Sequence, residues 1–206
     1  MSKEFGKSLW ADARKRLFKN KVAIVSLSFI LTIVSIAIFA NFIAPFSYEA
    51  QNVSNRLAPL NWQNWMGTDI LGRDLLSRIL YGARMSLAVG IITAFCSLII
   101  GMIYGSISGY IGGGMDNIMM RIVDILYTFP SLLLIILITL LFGKGLIGIF
   151  VALTIVGWVS VSRIVRGQIL QVKEMAFVEA ARSIGTGHAA IVLRHILPNI
   201  IGPIIV

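Results

Sequence analysis

The stretch from Lys173 to Pro198 holds the polar residues whose types and spacing best suit a specific interaction, because apolar sequence flanks it on both sides. Its first part predicts a short helix with an apolar face at the i, i+3, i+4, i+7 spacing. That face consists of Phe177, Ala180, Ala181 and Ile184. Charged side chains such as Glu179 surround it. Such a helix can lie on lipid or bind a protein, and the periodicity alone favours neither.

A turn and a second short helix are predicted to follow. Gly185 suits the end of the first helix, because glycine adopts the left-handed C-terminal conformation at least cost. Thr186 or Gly187 can cap a second helix from His188 to about Leu197. Pro198 lacks an N–H and therefore ends or kinks that helix. The stretch is predicted to be a helix–turn–helix between membrane spans.

The spacing within this stretch resembles the EAA loop of ABC-importer permeases, whose pattern is E-A-A, three residues, G, nine residues, I-x-L-P. Glu179-Ala180-Ala181, Gly185 and Leu197-Pro198 stand in that register, and His195 replaces the Ile. The ending from Arg194 to Asn199 is similar to the dipeptide, oligopeptide and nickel branch of these permeases. We refer to Lys173–Pro198 as the EAA segment.

The resemblance implies an ATPase-coupling loop. Its expected residues are Glu179, Ala180, Ala181, Gly185, Leu197 and Pro198. Both alanines are expected to be small because a helix face enters a confined groove, and Gly185 is expected to turn with positive φ. Glu179 is expected to orient the loop through a charged hydrogen bond, to Arg182 or to a residue outside this helix.

Composition places the chain among integral membrane proteins. It is 57% hydrophobic and 13% charged, with a mean hydropathy of +0.88, whereas soluble domains carry about 25% charged residues. The net charge of +9 would suit nucleic acid, but the basic residues lie at the ends of apolar runs. That arrangement favours a membrane topology and no nucleic-acid partner. Cys96 lies inside an apolar run and is predicted to be a buried small side chain.

An all-α, multi-pass helical bundle is predicted, because about 20 apolar residues cross a bilayer. The predicted spans are 22–44, about 85–111, 125–142 and 146–162, and a cut span from about 196. The resemblance implies that the bundle is of the type I ABC-importer kind and that 85–206 forms its transmembrane domain. Since the last apolar run is too short to span, we expect a C-terminally truncated chain.

Basic residues predict which segments face the cytoplasm. The N-terminus 1–21, the turn 112–121 and the segment 163–194 together hold thirteen Lys and Arg, and the other side holds five. The positive-inside rule therefore places the N-terminus and the EAA segment in the cytoplasm. It places residues 45–84, the outer loop, outside. The resemblance implies the cytoplasmic (inner) membrane of a prokaryote.

The outer loop contains a second stretch that resembles the peptide and nickel permeases, G-T-D-x-x-G-R-D-x-x-S-R. Its charged residues are Asp69, Arg73, Asp74 and Arg78. They form either a docking surface for a binding protein or a local ion-pair lattice that fixes the loop. A helix within 66–87 is predicted to lie along the membrane surface, and Trp62 and Trp65 fit an aromatic belt at the interface.

Small residues mark a close helix contact in the second span. Gly101, Gly105, Gly109 and Gly113 recur every four residues, a spacing that lets helix backbones approach closely in lipid. A packing seam and a mobile bundle core are both compatible with this pattern.

Arg121 and Asp124 are three residues apart and are predicted to pair. Pro130 is a possible kink in the third span.

Enzymatic motifs are missing from the sequence. It has no phosphate-binding G-x-x-x-x-G-K-[ST], no zinc-type Cys/His spacing and no G-x-S-x-G elbow. The chain is therefore predicted to be no enzyme and to hold no cofactor or metal. His188 and His195 are interpreted as interfacial side chains rather than metal ligands.

The resemblance implies a permease subunit of an ABC importer for di- or oligopeptides, with nickel as the alternative substrate. The implied partners are a second homologous permease, two ATPases that carry ATP and Mg, and an extracytoplasmic binding protein. The main alternative class is a self-contained secondary transporter or channel. That class usually shows inverted repeats or charges within spans, and the sequence shows neither.

Overall fold

The computed structural model describes residues 9–143 and 145–205, which fold almost entirely into helices. Pairing of extended chain within these residues is limited to one isolated bridge between Thr68 and Asp74. The predicted all-α class is confirmed. The chain divides into two compact units, Met1–Ala88 and Val89–Val206, and helix α4 (Leu75–Ile111) contributes residues to both.

The first unit begins with three helices, α1 (Leu9–Lys19), α2 (Lys21–Ile38) and the short α3 (Ala40–Ile43), and then a 3-10 turn at Val53–Asn55. Helix α2 starts where the Asn20 side chain accepts hydrogen bonds from the N–H groups of Val22 and Ala23, as an N-cap does. Phe39 leaves the helical conformation (φ −88°, ψ 12°). The predicted span 22–44 therefore contains two helices instead of one.

The second unit is built around one helix, α7 (Leu146–Val172). Its other elements are α5 (Gly113–Thr128), α6 (Ser131–Phe142), α8 (Ala176–Ser183), α9 (His188–Ala190), a π-helical turn (Ile191–Ile196) and α10 (Leu197–Ile205). Helices α5, α6 and α10 all pack against α7. It also carries the largest set of buried side chains among the described helices of this unit.

Three described helices, α2, α4 and α7, are long and apolar enough to cross a membrane. A fourth span is possible if α5 and α6, which meet at a 92° bend, count as one. The bend lies at Pro130. Phe129 before it is extended (φ −74°, ψ 136°), because the proline ring disfavours a helical residue in front of it. The predicted kink at Pro130 in the span 125–142 is therefore confirmed, as a break between two helices.

Two predicted boundaries fall inside longer helices. Helix α4 begins at Leu75, ten residues before the predicted start of the second span, so the predicted surface helix is part of α4. Asp74 explains this start, since its carboxylate accepts hydrogen bonds from the N–H and hydroxyl of Ser77. Helix α7 continues ten residues past Ser162, because the arginines beyond it have acidic partners on α5.

Glycines on α4 form a tight seam with α7. A Cβ at Gly101 would lie 2.6 Å from Val161 Cβ, and one at Gly105 would lie 2.5 Å from the Ser162 carbonyl oxygen. One at Gly109 would lie 3.1 Å from the Arg166 carbonyl oxygen. Gly113 has no part in this seam, since it starts α5 with φ +59° and open space around it. The packing interpretation of the first three glycines thus has a structural basis.

The seam predicts different effects for one substitution at two sites of α4. Gly105→Ala is expected to destabilise the fold by roughly 1–3 kcal/mol, because the added methyl group overpacks the contact with α7. Gly90→Ala is the matched control, since nothing lies within 4 Å of a Cβ there. It should be neutral or stabilise by at most about 1 kcal/mol. Thermal unfolding in detergent measures both, and equal melting temperatures would contradict the seam.

Candidate functional site

The EAA segment is anchored in the core of the second unit by the inner side of α8. Val178 and Ala181 are buried, with 0% and 4% of their surface exposed. They share a cluster with buried residues of the neighbouring elements. Those residues are Val165, Ile169, Val172, Ile191, Ile196 and Ile200. Helix α8 is therefore fixed between α7 and the helical segment that follows the turn.

The predicted apolar face of α8 is mostly its outer side. Phe177 and Ala180 are exposed, and Ile184 is 82% exposed. Of the four predicted members, Ala181 alone is buried. The predicted apolar face was wrong as a description of the buried side. Val178 and Ala181 form a second apolar arc on α8, and this arc is the one that packs in the core. The outer side thus leaves apolar groups uncovered within a polar segment.

Gly185 ends α8 as predicted, with φ +80°. The Gly185 N–H donates to the Arg182 carbonyl, and the Thr186 N–H donates to the Ala181 carbonyl. These two bonds are those of a Schellman motif. A Cβ at Gly185 would meet no heavy atom within 4 Å. The backbone conformation, and not lack of space, therefore requires glycine here.

The Glu179 carboxylate has no hydrogen-bond or salt-bridge partner among residues 14–143 and 145–204, whose side chains the structure describes. The expected bond to Arg182, three residues on, does not form, and the Arg182 guanidinium lies 6.0 Å above the Tyr110 ring instead. Ser183 donates to the backbone carbonyl of Glu179, which leaves the charge itself uncommitted. In this part of the chain Glu179 is an acid exposed at the outer side of α8.

Pro198 does not end the second helix, which continues through α10 to Ile205. The preceding turn is π-helical, and the Leu197 N–H donates to the Val192 carbonyl five residues back. A wider turn accommodates the proline, because its ring would otherwise press on the carbonyl of Arg194. Leu197 packs against the core cluster, whereas Pro198 is exposed.

An ion pair holds the corner between α4 and α5 against α7. The Arg166 guanidinium donates two hydrogen bonds of 2.6 Å to the Asp116 carboxylate, which also accepts one from the Ser108 hydroxyl. The Asp116 side chain is 9% exposed. Lys173, at the end of α7, donates to the Gly109 carbonyl at 3.1 Å. The start of the EAA segment is therefore tied to the same corner.

A second pair links α5 to α7 at a more exposed position. Arg163 donates to Asp124 at 2.5 Å, and its guanidinium lies 4.2 Å above the Tyr127 ring. The predicted pair of Arg121 and Asp124 is wrong, and in the described part of the chain Arg121 forms no salt bridge. The nearby arginine on α7 takes its place.

The outer loop uses its charged residues to fix its own shape. Asp69 accepts hydrogen bonds from the side chains of Arg73 (2.8 Å) and Arg78 (2.5 Å). Burial acts to raise the pKa of the Asp69 carboxyl, but hydrogen bonds from Arg73 and the Leu71 N–H outweigh it and hold that pKa well below its ordinary range. Asp74 is buried and accepts from Asn64 and Ser77. This geometry favours the loop-fixing alternative over the docking one.

No metal centre exists among the described residues, where no three His, Cys, Asp or Glu side chains could hold an ion. His188 lies beside Tyr110 instead, with Nδ1 3.0 Å from the tyrosine hydroxyl. His195 lies in the π-helical turn.

Two family profiles match this chain. The profile of binding-protein-dependent transport system inner membrane components covers residues 97–206, which is more than half of the chain. The chain belongs to this family. A second profile, the N-terminal TM domain of oligopeptide transport permease C, covers residues 8–59. Together with the long apolar helices, membership makes the chain an integral inner-membrane protein.

Curated relatives within this family are permeases. The oligopeptide transport system permease protein OppC of Bacillus subtilis (strain 168) is 45% identical over 97% of this chain and 65% of its own length. The dipeptide transport system permease protein DppC of the same organism is 45% identical over 95% and 61%. The OppC protein of Haemophilus influenzae is 44% identical over 96% and 64%. This chain thus spans less than two thirds of each.

Several contacts around the EAA segment were not predicted from sequence. Val178 was overlooked because its neighbours fitted a longer apolar pattern. The contact of Asp116 with Arg166 joins positions 50 residues apart, which no local rule detects. The sequence did contain a signal for these ion pairs. Two acids lie two turns apart on α5, and two arginines lie one turn apart on α7.

The corner predicts unequal effects for two similar substitutions. Asp116→Asn is expected to destabilise the fold, because it leaves the Arg166 charge without its partner. Removing one member of a fully buried pair costs about 3–5 kcal/mol, and the cost here is lower because Arg166 keeps 33% of its side chain exposed. Asp124→Asn is the control, with an expected cost of about 0–1 kcal/mol, since Asp124 is 55% exposed.

Thermal unfolding of the purified chain measures both variants. The double variant Asp116→Leu, Arg166→Met should recover part of the loss, because it removes both charges together. If Asp124→Asn proved as costly as Asp116→Asn, the corner would not be the special contact that its burial indicates.

Proposed function

We propose that the chain is a membrane-spanning permease subunit of an ATP-driven importer for di- or oligopeptides. The observation that carries the proposal is the EAA segment, whose inner side is buried while Glu179, Ala180 and Ile184 stay exposed. The names of the relatives, oligopeptide and dipeptide permeases, support peptides as substrates. They lend no support to nickel. A self-contained transporter or channel does not explain membership in this family.

The outer side of α8 suits a groove on a partner protein. Ile184 is an exposed apolar side chain beside the small Ala180, and amphipathic helices bind such grooves through their apolar groups. Glu179 adds a charge with no partner in the described chain, so a cationic group of the partner can pair with it. We assign this surface to an ATPase subunit, in agreement with the role that the EAA resemblance implies.

Contacts inside the unit support transmission from this surface to the spans. The inner side of α8 packs on α7 and on the segment that leads to α10. Lys173 and Arg166 join α7 to the α4–α5 corner. ATP binding would close the ATPases and displace α8, and these contacts would carry the displacement to α7 and α4. The bundle then changes between inward-open and outward-open states.

The complete importer in this proposal contains a second, homologous permease and two ATPases that hold ATP and Mg. An extracytoplasmic binding protein delivers the peptide. The N-terminus and the EAA segment lie in the cytoplasm and the outer loop outside, as the distribution of thirteen and five basic residues supports. Substrate selection then depends on two permeases and the binding protein together.

Topology is tested with single cysteines. Ser54 and Ser183 are exposed, and Cys96 is the single native cysteine. In a Cys96→Ala background, a membrane-impermeant maleimide on intact cells is expected to label Ser54→Cys and to spare Ser183→Cys. Both should react after the cells are opened. Labelling of Ser183→Cys alone in intact cells would overturn the topology and the assignment of the ATPase surface.

Two neighbouring alanines separate docking from folding. Ala180→Leu is expected to leave thermal stability normal and to reduce ATPase co-purification and peptide-stimulated ATP hydrolysis, because the larger side chain overpacks the interface by roughly 1–3 kcal/mol. Ala181→Leu should instead lower the stability of the chain itself, since Ala181 is 4% exposed in the core. Assays use the chain co-expressed with its second permease and ATPases.

Ala50→Leu is the matched control for Ala180→Leu, because Ala50 is exposed in the outer loop. Gly185→Val should also uncouple hydrolysis, because the left-handed conformation costs a β-branched residue at least about 1 kcal/mol. Normal ATPase binding by Ala180→Leu and Gly185→Val would refute the docking surface.

A further inference from the structure

The tip of the outer loop presents apolar side chains that the described chain leaves uncovered. Trp62 is 97% exposed and Leu60 is 74% exposed, and three neighbours are similarly uncovered. Those neighbours are Leu57 (67%), Trp65 (67%) and Met66 (46%). We call these five residues the apolar tip. Contiguous exposed apolar patches on a folded protein mark a surface that binds protein or lipid.

The apolar tip is held in a fixed shape. Asn61 Oδ1 accepts hydrogen bonds from the N–H groups of Gln63 and Asn64, and the Asn61 N–H donates to the Asn64 carbonyl. The buried Asn64 side chain donates to Asp74, the N-cap of α4. Leu57, at the base, has φ +51°, a strained conformation for leucine that the surrounding bonds maintain. The exposure of the tip is therefore a consequence of its fold.

Part of the backbone of the tip, and one of its indole N–H groups, is hydrogen-bonded within the loop. Besides the Asn61 turn, the Gly67 N–H donates to the Asn64 carbonyl, and the Trp65 indole N–H donates to the Trp62 carbonyl. Pro59 has no N–H to satisfy. Each internal bond lowers the cost of moving that backbone out of water. A tip of this kind can enter a region of reduced hydration.

Charge favours lipid over protein as the partner. From Leu57 to Thr68 the sequence has no charged residue, and Arg56 and Asp69 stand at the two ends. Protein interfaces combine aromatic anchors with arginine, whereas an uncharged tip with tryptophans matches the interface between headgroups and acyl chains. The remaining arginines near the tip, Arg73 and Arg78, are committed to Asp69.

Chain connectivity keeps the tip within reach of the bilayer. The outer loop lies between two candidate spans, α2 and α4, so it leaves and re-enters the same membrane face. From Leu75 to Met85, where the charge-free part of α4 begins, the helix rises roughly 15 Å. The outer loop is thus tethered to that face at both of its ends.

We propose that the apolar tip inserts into the headgroup region of the membrane face on which the outer loop lies, and so anchors this loop to lipid. The occupant is the bilayer itself. The proposal depends on the two spans and not on peptide import. It gives Trp62 and Leu60 a role as membrane anchors, and it gives the Asn64 and Asp74 contact a role in positioning them.

Spin labels measure the depth of the tip. In a Cys96→Ala background, a nitroxide is attached to Gln63→Cys in the tip or to Gln51→Cys, an exposed position of the same loop outside it. The full chain is placed in nanodiscs of phosphatidylcholine and phosphatidylglycerol. Collision of the label with oxygen, relative to a water-soluble nickel chelate, is expected to be several-fold higher at 63 than at 51.

Substitutions identify the anchor residues. With the label at 63, the double change Leu60→Ser, Trp62→Ser should lower the ratio to that at 51. Val53→Ser is the matched control, because Val53 is an exposed apolar residue of the loop outside the tip. It should leave the ratio unchanged. An unaltered spectrum of the label at 51 shows in each variant that the loop is folded.

Three results would overturn the proposal. A label at 63 that is as accessible to nickel as the one at 51 would place the tip in water. The same aqueous result, followed by immobilisation of the label when the extracytoplasmic binding protein is added, would make the tip a protein-docking surface instead. If the oxygen-to-nickel collision ratio at 63 stayed high after the Leu60→Ser, Trp62→Ser change, these residues would not be the anchor.

Discussion

The close contact between the backbones of α4 and α7 is the constraint on which the second unit depends. Three glycines remove the side chains that would keep the helices apart, and dispersion over this contact stabilises helix association in lipid. The contact also exposes backbone oxygens of α4 to α7. Lys173 uses one of them at Gly109. Lys173, the first residue of the EAA segment, therefore reaches the α4–α5 corner only because the two helices are so close at the seam.

Local rules predicted the features that depend on local chemistry. The Gly185 turn follows from the preference of glycine for positive φ, and the bend at Pro130 follows from the missing N–H and the ring. The ends of the helices were harder to predict, because an apolar run ends at the first arginine whereas the helix itself continues. The extension of α7 past Ser162 depends on Asp116 and Asp124, which lie on another helix. Contacts between distant positions have no signature in one sequence.

The EAA motif illustrates the difference between recognising a segment and orienting it. The motif located α8 correctly, but its side chains can form two apolar arcs that share Ala181. Periodicity selects the longer arc, whereas burial selects Val178 and Ala181, which meet Ile169 and Ile196. An eight-residue helix is too short for the spacing of its apolar residues to decide between them. The two adjacent alanines consequently have different surroundings: Ala181 lies in the core and Ala180 at the surface.

Side-chain length separates the acids of this chain into two groups. The aspartates with described side chains, Asp69, Asp74, Asp116 and Asp124, all accept bonds from other side chains and thereby hold helices or loops. A short side chain keeps the charge near the backbone, where it caps or joins elements. Glu179 stands further out, and maintaining an unpaired charge is inexpensive only where water or a partner reaches it. The fold therefore commits these four aspartates to structure and leaves the Glu179 carboxylate exposed, which suits the docking surface that we propose for α8.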